Sequence, residues 1–381
     1  MSDLCDNRLP FAMRAVELLP TGPYLLALRD DIEHPDTQRV EMQVFYFRSG
    51  AELDVFYNSL IKLLKRGGSL LLKLDAVYSG EFNSSFLHVR LKRVEENEYT
   101  DPEARETILK LRELREYGAE IQYIKPRKGI GKLLSAFGRD HRKNAVMYDK
   151  NGEIRVVYTG ARNVPEMDDP CESQLPVESW RNKNDAMLRI TDKELVDVVA
   201  ETIKYIDESL PKKNIHIPTS LGTFYLSVGN GTSNIRKELL GIMRNASTND
   251  EIILANQMPI DPFFAFHLRR AASRGADVIV ILPNDLNDQM SGFAYKAAQW
   301  LSERITGNTG VRYMKLDDKK QFTHSKALFV RLGPDFFGFT GSENIAVIQG
   351  IWLRTTDDGL IAKNNYIAEM IRDHLYYLAG K

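Results

Sequence analysis

The stretch "FTHSKALFVRLGPDFFGFTGSENI", residues 322–345, decides the reading of this chain, and "DHRKNAVMYDKNGEIRVVYTGARNV", residues 140–164, repeats its plan. In each passage a histidine stands two residues before a lysine, an apolar run follows, and a second run ends in a glycine-bearing turn with an asparagine. If the run after the lysine is a strand, His141 and Lys143 point to one face, as do His324 and Lys326. "EIRVVYTG" then returns as a second strand and brings Asn163 to the same edge, and "DFFGFTG" does the same for Ser342 and Asn344. A lone His-x-Lys in a strand is a common surface pair, but two copies with matching turns in matching surroundings argue for shared chemistry.

The surroundings do match. "RVEMQVFYF", helical "AELDVFYNSLIKLLKRGG", "SLLLKLDA", helical "DPEARETILKLRELREYG" and "AEIQYIK" precede the first passage. "DEIILANQM", helical "PFFAFHLRRAASRG", "ADVIVILP", helical "NDQMSGFAYKAAQWLSERITG" and "VRYMKLD" precede the second. "LLKRGGSLLLKLD" parallels "RAASRGADVIVILP": a helix ends at Arg-Gly, where glycine supplies the left-handed turn, and feeds a buried strand. Alternating strands and helices predict two tandem α/β units, each a mostly parallel mixed sheet flanked by helices, related by a pseudo-twofold axis. The units are expected at 1–210 and 211–381, with "ESLPKKNIHIP" as the linker.

Bulk properties agree with a folded, two-unit protein. The chain has 381 residues, 43% of them hydrophobic and 27% charged, and a formal net charge of -1, which argues against a surface coated in positive charge for nucleic acid. Cys5 and Cys171 make neither a metal spacing nor a disulfide framework, which fits a reducing, cytoplasmic setting. Asp3 and Asp6 stand where a signal peptide would be basic, and no apolar run approaches the roughly 20 residues that span a bilayer. A lipid substrate would be met from the surface.

One imidazole, one ammonium and one amide per unit suit a phosphodiester: lysine and asparagine donate to the non-bridging oxygens, one histidine attacks phosphorus and the other protonates the leaving alcohol. With one imidazole per unit, the two units must face each other.

These passages resemble the paired HxK(x)4D and GSxN signatures of the phospholipase D superfamily, and the likeness in element order covers nearly the whole chain. Within the superfamily the sequence is most similar to cardiolipin synthases and related bacterial phosphatidyltransferases, through "YTGARNV", "NDAMLRITDKELVDVVAETI" and "SNIRKELLGIMRNASTNDEIILANQMPI". The resemblance implies His141 as nucleophile, forming a phosphohistidine, and His324 as general acid and later base. It implies Lys143, Lys326, Asn163 and Asn344 as holders of the phosphate, with Ser342 assisting. It also implies a carboxylate that orients each histidine: Asp185 in the first copy, and Asp357, with Asp358 close behind, in the second. No metal or other cofactor is implied. The partner implied is a phosphatidylglycerol-like phospholipid at a membrane surface, with no obligate protein partner. The sequence departs from the signatures at the aspartate five residues after each lysine, where Tyr148 and Arg331 stand, and at Ala161 in the first turn. A nuclease built on the same site and a catalytically silent scaffold are the alternative readings.

Three further stretches have more local readings. "KPRKGIGKLLSAFGRDHRK", residues 125–143, carries seven basic residues around Leu133, Leu134 and Phe137, as a helix resting on an anionic membrane or a solvated loop would. "GIGK" is no phosphate-binding loop, because Pro126 occupies the place of its first glycine. "GNGTSNIR" reads as a turn and a helix cap at Thr232 or Ser233.

Overall fold

The computed structural model describes residues 15–44, 47, 49–75, 82–83, 92–93, 102–124, 142–161, 176–177, 186–204, 214–228, 233–283, 293–307, 309–316, 325–343, 345 and 357–381. The first half runs β1 (Val16–Pro20), α1 (Thr21–Glu33), β2 (Arg39–Val44), α2 (Ala51–Lys65), β3 (Ser69–Asp75), β4 (Phe82–Asn83), β5 (Lys92–Arg93), α3 (Pro102–Glu116), β6 (Glu120–Ile124), β7 (Lys143–Tyr148), β8 (Ile154–Gly160), β9 (Ala186–Ile190) and α4 (Lys193–Lys204). The second runs β10 (Ile215–Thr219), β11 (Gly222–Ser227), α5 (Asn234–Met243), β12 (Glu251–Ala255), α6 (Pro262–Ser273), β13 (Asp277–Pro283), α7 (Phe293–Thr306), β14 (Val311–Leu316), β15 (Ala327–Leu332), β16 (Asp335–Gly341), β17 (Asp357–Lys363) and α8 (Tyr366–Leu378).

Two mixed sheets result, in the orders β1-β9-β8-β7-β2-β3-β6 and β10-β11-β17-β16-β15-β12-β13-β14. Apart from the added edge strand β10, the orders coincide strand for strand, and so do the directions: β2-β3-β6 and β12-β13-β14 are parallel, and the remaining ladders are antiparallel. The parallel share is smaller than strand-helix alternation predicts. Each His-x-Lys passage forms a hairpin, and each hairpin extends its sheet with antiparallel strands.

Local chemistry places the elements where the sequence suggested. Helix α2 turns Leu53, Phe56, Leu60, Leu63 and Leu64 inward and ends at Arg66, with Gly67 at a φ of 85°. Helix α6 begins on Asp261, which accepts from the Phe264 amide, with Pro262 in its first turn, and ends at Arg274, with Gly275 at 96°. Ser233 caps α5 through the Arg236 amide, as the turn-and-cap reading of that stretch requires. The end of the expected linker differs: Ile215–Thr219 is strand β10, and its Pro218 is tolerated because the strand is at the sheet edge.

Among the described residues three apolar clusters hold the fold together. One lies between the first sheet and α1, α2 and α3, and another between the second sheet and α5 and α6. The third is shared: Val146, Tyr148, Val157 and Ile190 of the first sheet join Ile253, Ile279, Phe329 and Ala362 of the second, together with Leu195 and Val199 of α4 and Ile367 and Ile371 of α8. Helices α4 and α8 occupy equivalent places, and each reaches the other half: α4 packs on β10 and β11, and α8 on β1. Strand β8 also touches β16 and β17. The inner faces of the sheets therefore confront each other, which sets up a site between them.

Within the first half a buried ionic group ties α1 to the sheet. Asp31 accepts from Tyr158 at 2.6 Å and from Arg189 at 2.8 and 3.0 Å, and Arg189 also bonds Glu17 at 3.0 Å. Burial and the Asp31 charge push the Tyr158 hydroxyl well above its ordinary range.

Candidate functional site

Lys143 opens β7 opposite Gly160, and the pairing of Ala327 with Thr340 brings Lys326 level with Gly341. Both lysines are about 1% exposed, so each ammonium sits in the interior rather than on a surface strand. Both glycines are needed for close approach. A Cβ at Gly160 would stand 2.9 Å from the Ala186 carbonyl oxygen, and one at Gly341 would run into the Asp358 carbonyl oxygen and lie 2.6 Å from Gly359 Cα. The glycine therefore lets each turn strand press against its neighbour, β9 or β17.

The two passages meet. Asn144 Nδ2, next to Lys143, donates to Asp358 Oδ2 at 2.8 Å, a buried bond between residues 214 positions apart. Asp358 follows Asp357 on β17. Ser342 ties both to the second turn: its hydroxyl donates to Asp357 Oδ1 at 3.2 Å and accepts from the Asp358 amide at 2.9 Å, while its own amide donates to the Asp358 carbonyl oxygen at 2.9 Å. Arg142, buried between residue 141 and Lys143, carries a charge that favours ionised Asp358. Burial outweighs that charge and the hydrogen bonds from Asn144 and Ser342, and pushes Asp358 up to about 6.

Of the nine residues expected at the site, Lys143, Lys326, Ser342 and Asp357 are described and buried; Ser342 and Asp357 share a hydrogen bond, and all four lie at the strand ends that meet here. His141, Asn163, Asp185, His324 and Asn344 lie outside the described residues, as do Leu133, Leu134 and Phe137 of the basic segment. Register relates the two carboxylate candidates. Gly160 faces Met187 as Gly341 faces Gly359, so Ala186, the residue after the first candidate in sequence, corresponds to Asp358, the residue after the second.

No protein-family model matches the sequence, and no curated protein does. Among solved structures, phosphatidylserine synthase from Haemophilus influenzae Rd KW20 is similar over 95% of this chain and 86% of its own, at 11% identity and a TM-score of 0.60. Polyphosphate kinase from Porphyromonas gingivalis is similar over 96% of this chain at 14% identity and a TM-score of 0.56, and the chain spans 50% of that kinase's length. Both are phospholipase D-superfamily proteins. The chain has the phospholipase D fold.

Within this fold the missing motif aspartates fall far from the meeting point. Tyr148 and Arg331 lie five residues along their strands from the lysines, about 17 Å at the rise of a β-strand. Tyr148 lies in the shared apolar cluster with the Arg39 guanidinium over its ring. Turn formation at that end is supplied otherwise: Asp149 accepts from the Asn151 and Glu153 amides, and Asp250 accepts from the Gly333 amide. The departures thus concern hairpin closure.

Several site residues carried no advance signal. Glu343 is buried, accepts from Ser233 at 2.5 Å and lies 3.9 Å from Arg236, which bonds Asp261 at 2.6 Å. Burial and the nearby Asp357 charge raise the Glu343 carboxyl, against the pull of Arg236 and Ser233. Glu343 is legible only as the variable position of the Gly-Ser-x-Asn turn, and Asn144 only as the residue after a motif lysine.

Proposed function

We propose that the chain is a phosphatidyltransferase of the cardiolipin synthase type, moving a phosphatidyl group through a phosphohistidine to an alcohol, with water as side acceptor. The observation that carries this reading is the Asn144–Asp358 bond, because it joins the strand that Lys143 opens to the strand that Asp357 opens. One of the fold neighbours is named a phosphatidylserine synthase and the other a polyphosphate kinase, and both names denote transfer at phosphorus.

In this mechanism a ring nitrogen of His141 attacks phosphorus while the bond to the leaving alcohol's oxygen breaks and His324 gives that oxygen a proton. Lys143, Lys326, Asn163 and Asn344 donate to the non-bridging oxygens, where charge accumulates. Asp185 and Asp357 hold the imidazoles in the working tautomer, and Ser342 fixes Asp357. The acceptor alcohol then loses its proton to His324, its oxygen bonds phosphorus, and the phosphorus–nitrogen bond breaks.

Contact with a membrane has support on α6 and α7. Phe263, Phe266, Trp300 and Leu301 are exposed, Arg270 lies over the Phe266 ring, and Arg304 over Trp300. Aromatic rings beside guanidinium groups suit an anionic bilayer interface. Asp261, which caps α6, belongs to the ionic group around Glu343, so this surface adjoins the site. Among the described residues no helix is long and apolar enough to cross a membrane.

The test is thin-layer chromatography after incubating the protein with phosphatidylglycerol vesicles, beside an oligonucleotide digest. New cardiolipin that His141→Ala abolishes supports the proposal. Cut oligonucleotide without lipid product replaces it with a nuclease, and no product from either, with His141→Ala like the parent, replaces it with a scaffold. Sedimentation with anionic vesicles, weakened by Trp300→Ser, is expected for the membrane contact.

A further inference from the structure

Three side chains in one row of the first sheet carry polar atoms with no hydrogen-bond partner among the described residues. Gln43, Asn144 and Thr159 are neighbours across β2, β7 and β8, paired Gln43 with Asn144 and Asn144 with Thr159, so all three project from the inner face. They are 1%, 3% and 2% exposed. Among the described residues Gln43 Nε2 and Oε1, Asn144 Oδ1 and Thr159 Oγ1 have no hydrogen-bond partner, nor does Oδ1 of Asp358, whose other oxygen holds Asn144. An unmet buried polar group costs about 1–3 kcal/mol, and such groups are rare singly. Five such atoms along one row and its partner Asp358 are what a polar occupant would satisfy.

The second sheet is an internal control. Register places Ala255 where the first sheet has Gln43, Ala327 in place of Asn144, and Ile281 in place of Lys73, the next residue in the row. Thr340 stands in place of Thr159, so the threonine is common to both sheets, but at the other three positions the same backbone packs with apolar side chains, and the fold itself does not require Gln43 or Asn144.

Hydrogen-bonding capacity narrows the ligand. Gln43 Oε1 and Asn144 Oδ1 only accept, as does Asp358 Oδ1 in its ionised form at neutral pH, Gln43 Nε2 only donates, and the Thr159 hydroxyl does both. Phosphate oxygens offer no donors and would meet the Asp358 carboxylate. An ammonium offers no acceptor for Gln43 Nε2 and would sit near Lys73. Neighbouring hydroxyls donate and accept at once.

We propose that Gln43, Asn144 and Thr159, with Asp358, form a subsite for a neutral polyol of the glycerol type, which seats the alcohol that phosphorus is transferred to or from. The assignment of that alcohol as reactant rests on the transferase reading above; the polyol subsite itself does not. The polyol comes either as free glycerol or as the headgroup of a second lipid.

The experiment incubates the full chain with phosphatidylglycerol vesicles, labelled glycerol and 1-propanol, which has the same carbon chain with two hydroxyls fewer. Label in phosphatidylglycerol reads the free polyol, cardiolipin reads the lipid headgroup, and phosphatidylpropanol is the internal reference. The parent is expected to favour polyol over propanol at least tenfold, since a site built to bond hydroxyls rejects analogues that lack them. Gln43→Leu and Thr159→Val are each expected to cut that ratio about tenfold. Saturation-transfer NMR with glycerol is run alongside: binding should persist in His141→Ala and be lost in Gln43→Leu. Retained glycerol binding without turnover removes the transferase reading and keeps the subsite. Turnover with an unchanged ratio in both variants, or a parent that binds no glycerol, overturns the subsite. Melting temperature separates these from misfolding: replacing an unmet amide by leucine should leave it level or raise it, and a fall with an unchanged ratio assigns the row to structure and overturns the proposal.

Discussion

Gln43, Lys73 and Asn144 stand on the inner face of the first sheet where Ala255, Ile281 and Ala327 stand on the second, whereas Ala186 and Ala161 of the first half correspond to Asp358 and Ser342 of the second. The backbone was kept on both sides of the pseudo-twofold and the side chains were not. At the meeting point the lysine, the glycine opposite it and the threonine before that glycine, Thr159 or Thr340, are the same in both described halves. The first half brings amides, a hydroxyl and Arg142 to the meeting point, and the second brings Ser342, Glu343, Asp357 and Asp358. A matched pair of sheets thus builds one unsymmetrical site, with opposite charges facing across the axis.

The most demanding test of that division asks whether the shared features act equally. On the transferase proposal, Lys143→Ala and Lys326→Ala should each lower kcat for phosphatidyl transfer about 10²- to 10³-fold, the usual cost of removing one donor from developing charge. If one lysine proves silent, a single half carries the phosphate, and the comparison fails at its centre.

Next in size is the pH dependence of stability. Asp358 titrates at about 6 in the folded protein because burial disfavours its charge, against about 3.9 for a free aspartate. The folded state therefore holds a proton that the unfolded state has lost. The stabilisation is fully present below about pH 4 and is lost as pH rises through 6, on the order of 3 kcal/mol. Glu343, also raised, adds to the fall with the same sign. Urea denaturation between pH 4 and 8 should show that slope in the parent and a shallower one in Asp358→Asn, whereas Ala186→Ser, at the equivalent position, should keep the parent's slope.

Breaking the bond across the axis should cost less. Asn144→Ala leaves Asp358 Oδ2 without its partner and is expected to lower stability by about 1–3 kcal/mol at pH 7. Ala327→Ser, its counterpart, should change stability by less than half as much, and equal effects would argue against the asymmetry.

The smallest effect is expected at the missing motif aspartates. Arg331 is exposed, about 17 Å along its strand from Lys326, so Arg331→Asp should alter activity less than about threefold. A large gain would mean that the departure from the family signature matters to chemistry after all.

Much of the frame was open to reading in the primary structure. The Arg-Gly helix ends at 66–67 and 274–275, the strands that feed from them, and the Ser233 cap are local devices, each written in a few adjacent residues. Strand β1 and helix α1 escaped such reading. Helix α1 has no side-chain cap, and it is held by the Asp31, Tyr158 and Arg189 group, whose members are 127 and 158 residues apart. Strand β10 escaped because Pro218 mimics a linker until an edge partner is present.

By itself the sequence determined the duplication, the order of strands and helices, and the residue types gathered around each His-x-Lys passage, because periodicity, caps and glycine turns act over a few residues. Only the tertiary structure decided that Asn144 meets Asp358, that Glu343 and Arg142 are buried beside them, and that one sheet lines this junction with polar groups where its twin uses alanine and isoleucine. Those facts depend on which side chains confront each other across two packed sheets, and burial sets the charge states there, and neither is encoded in any one segment.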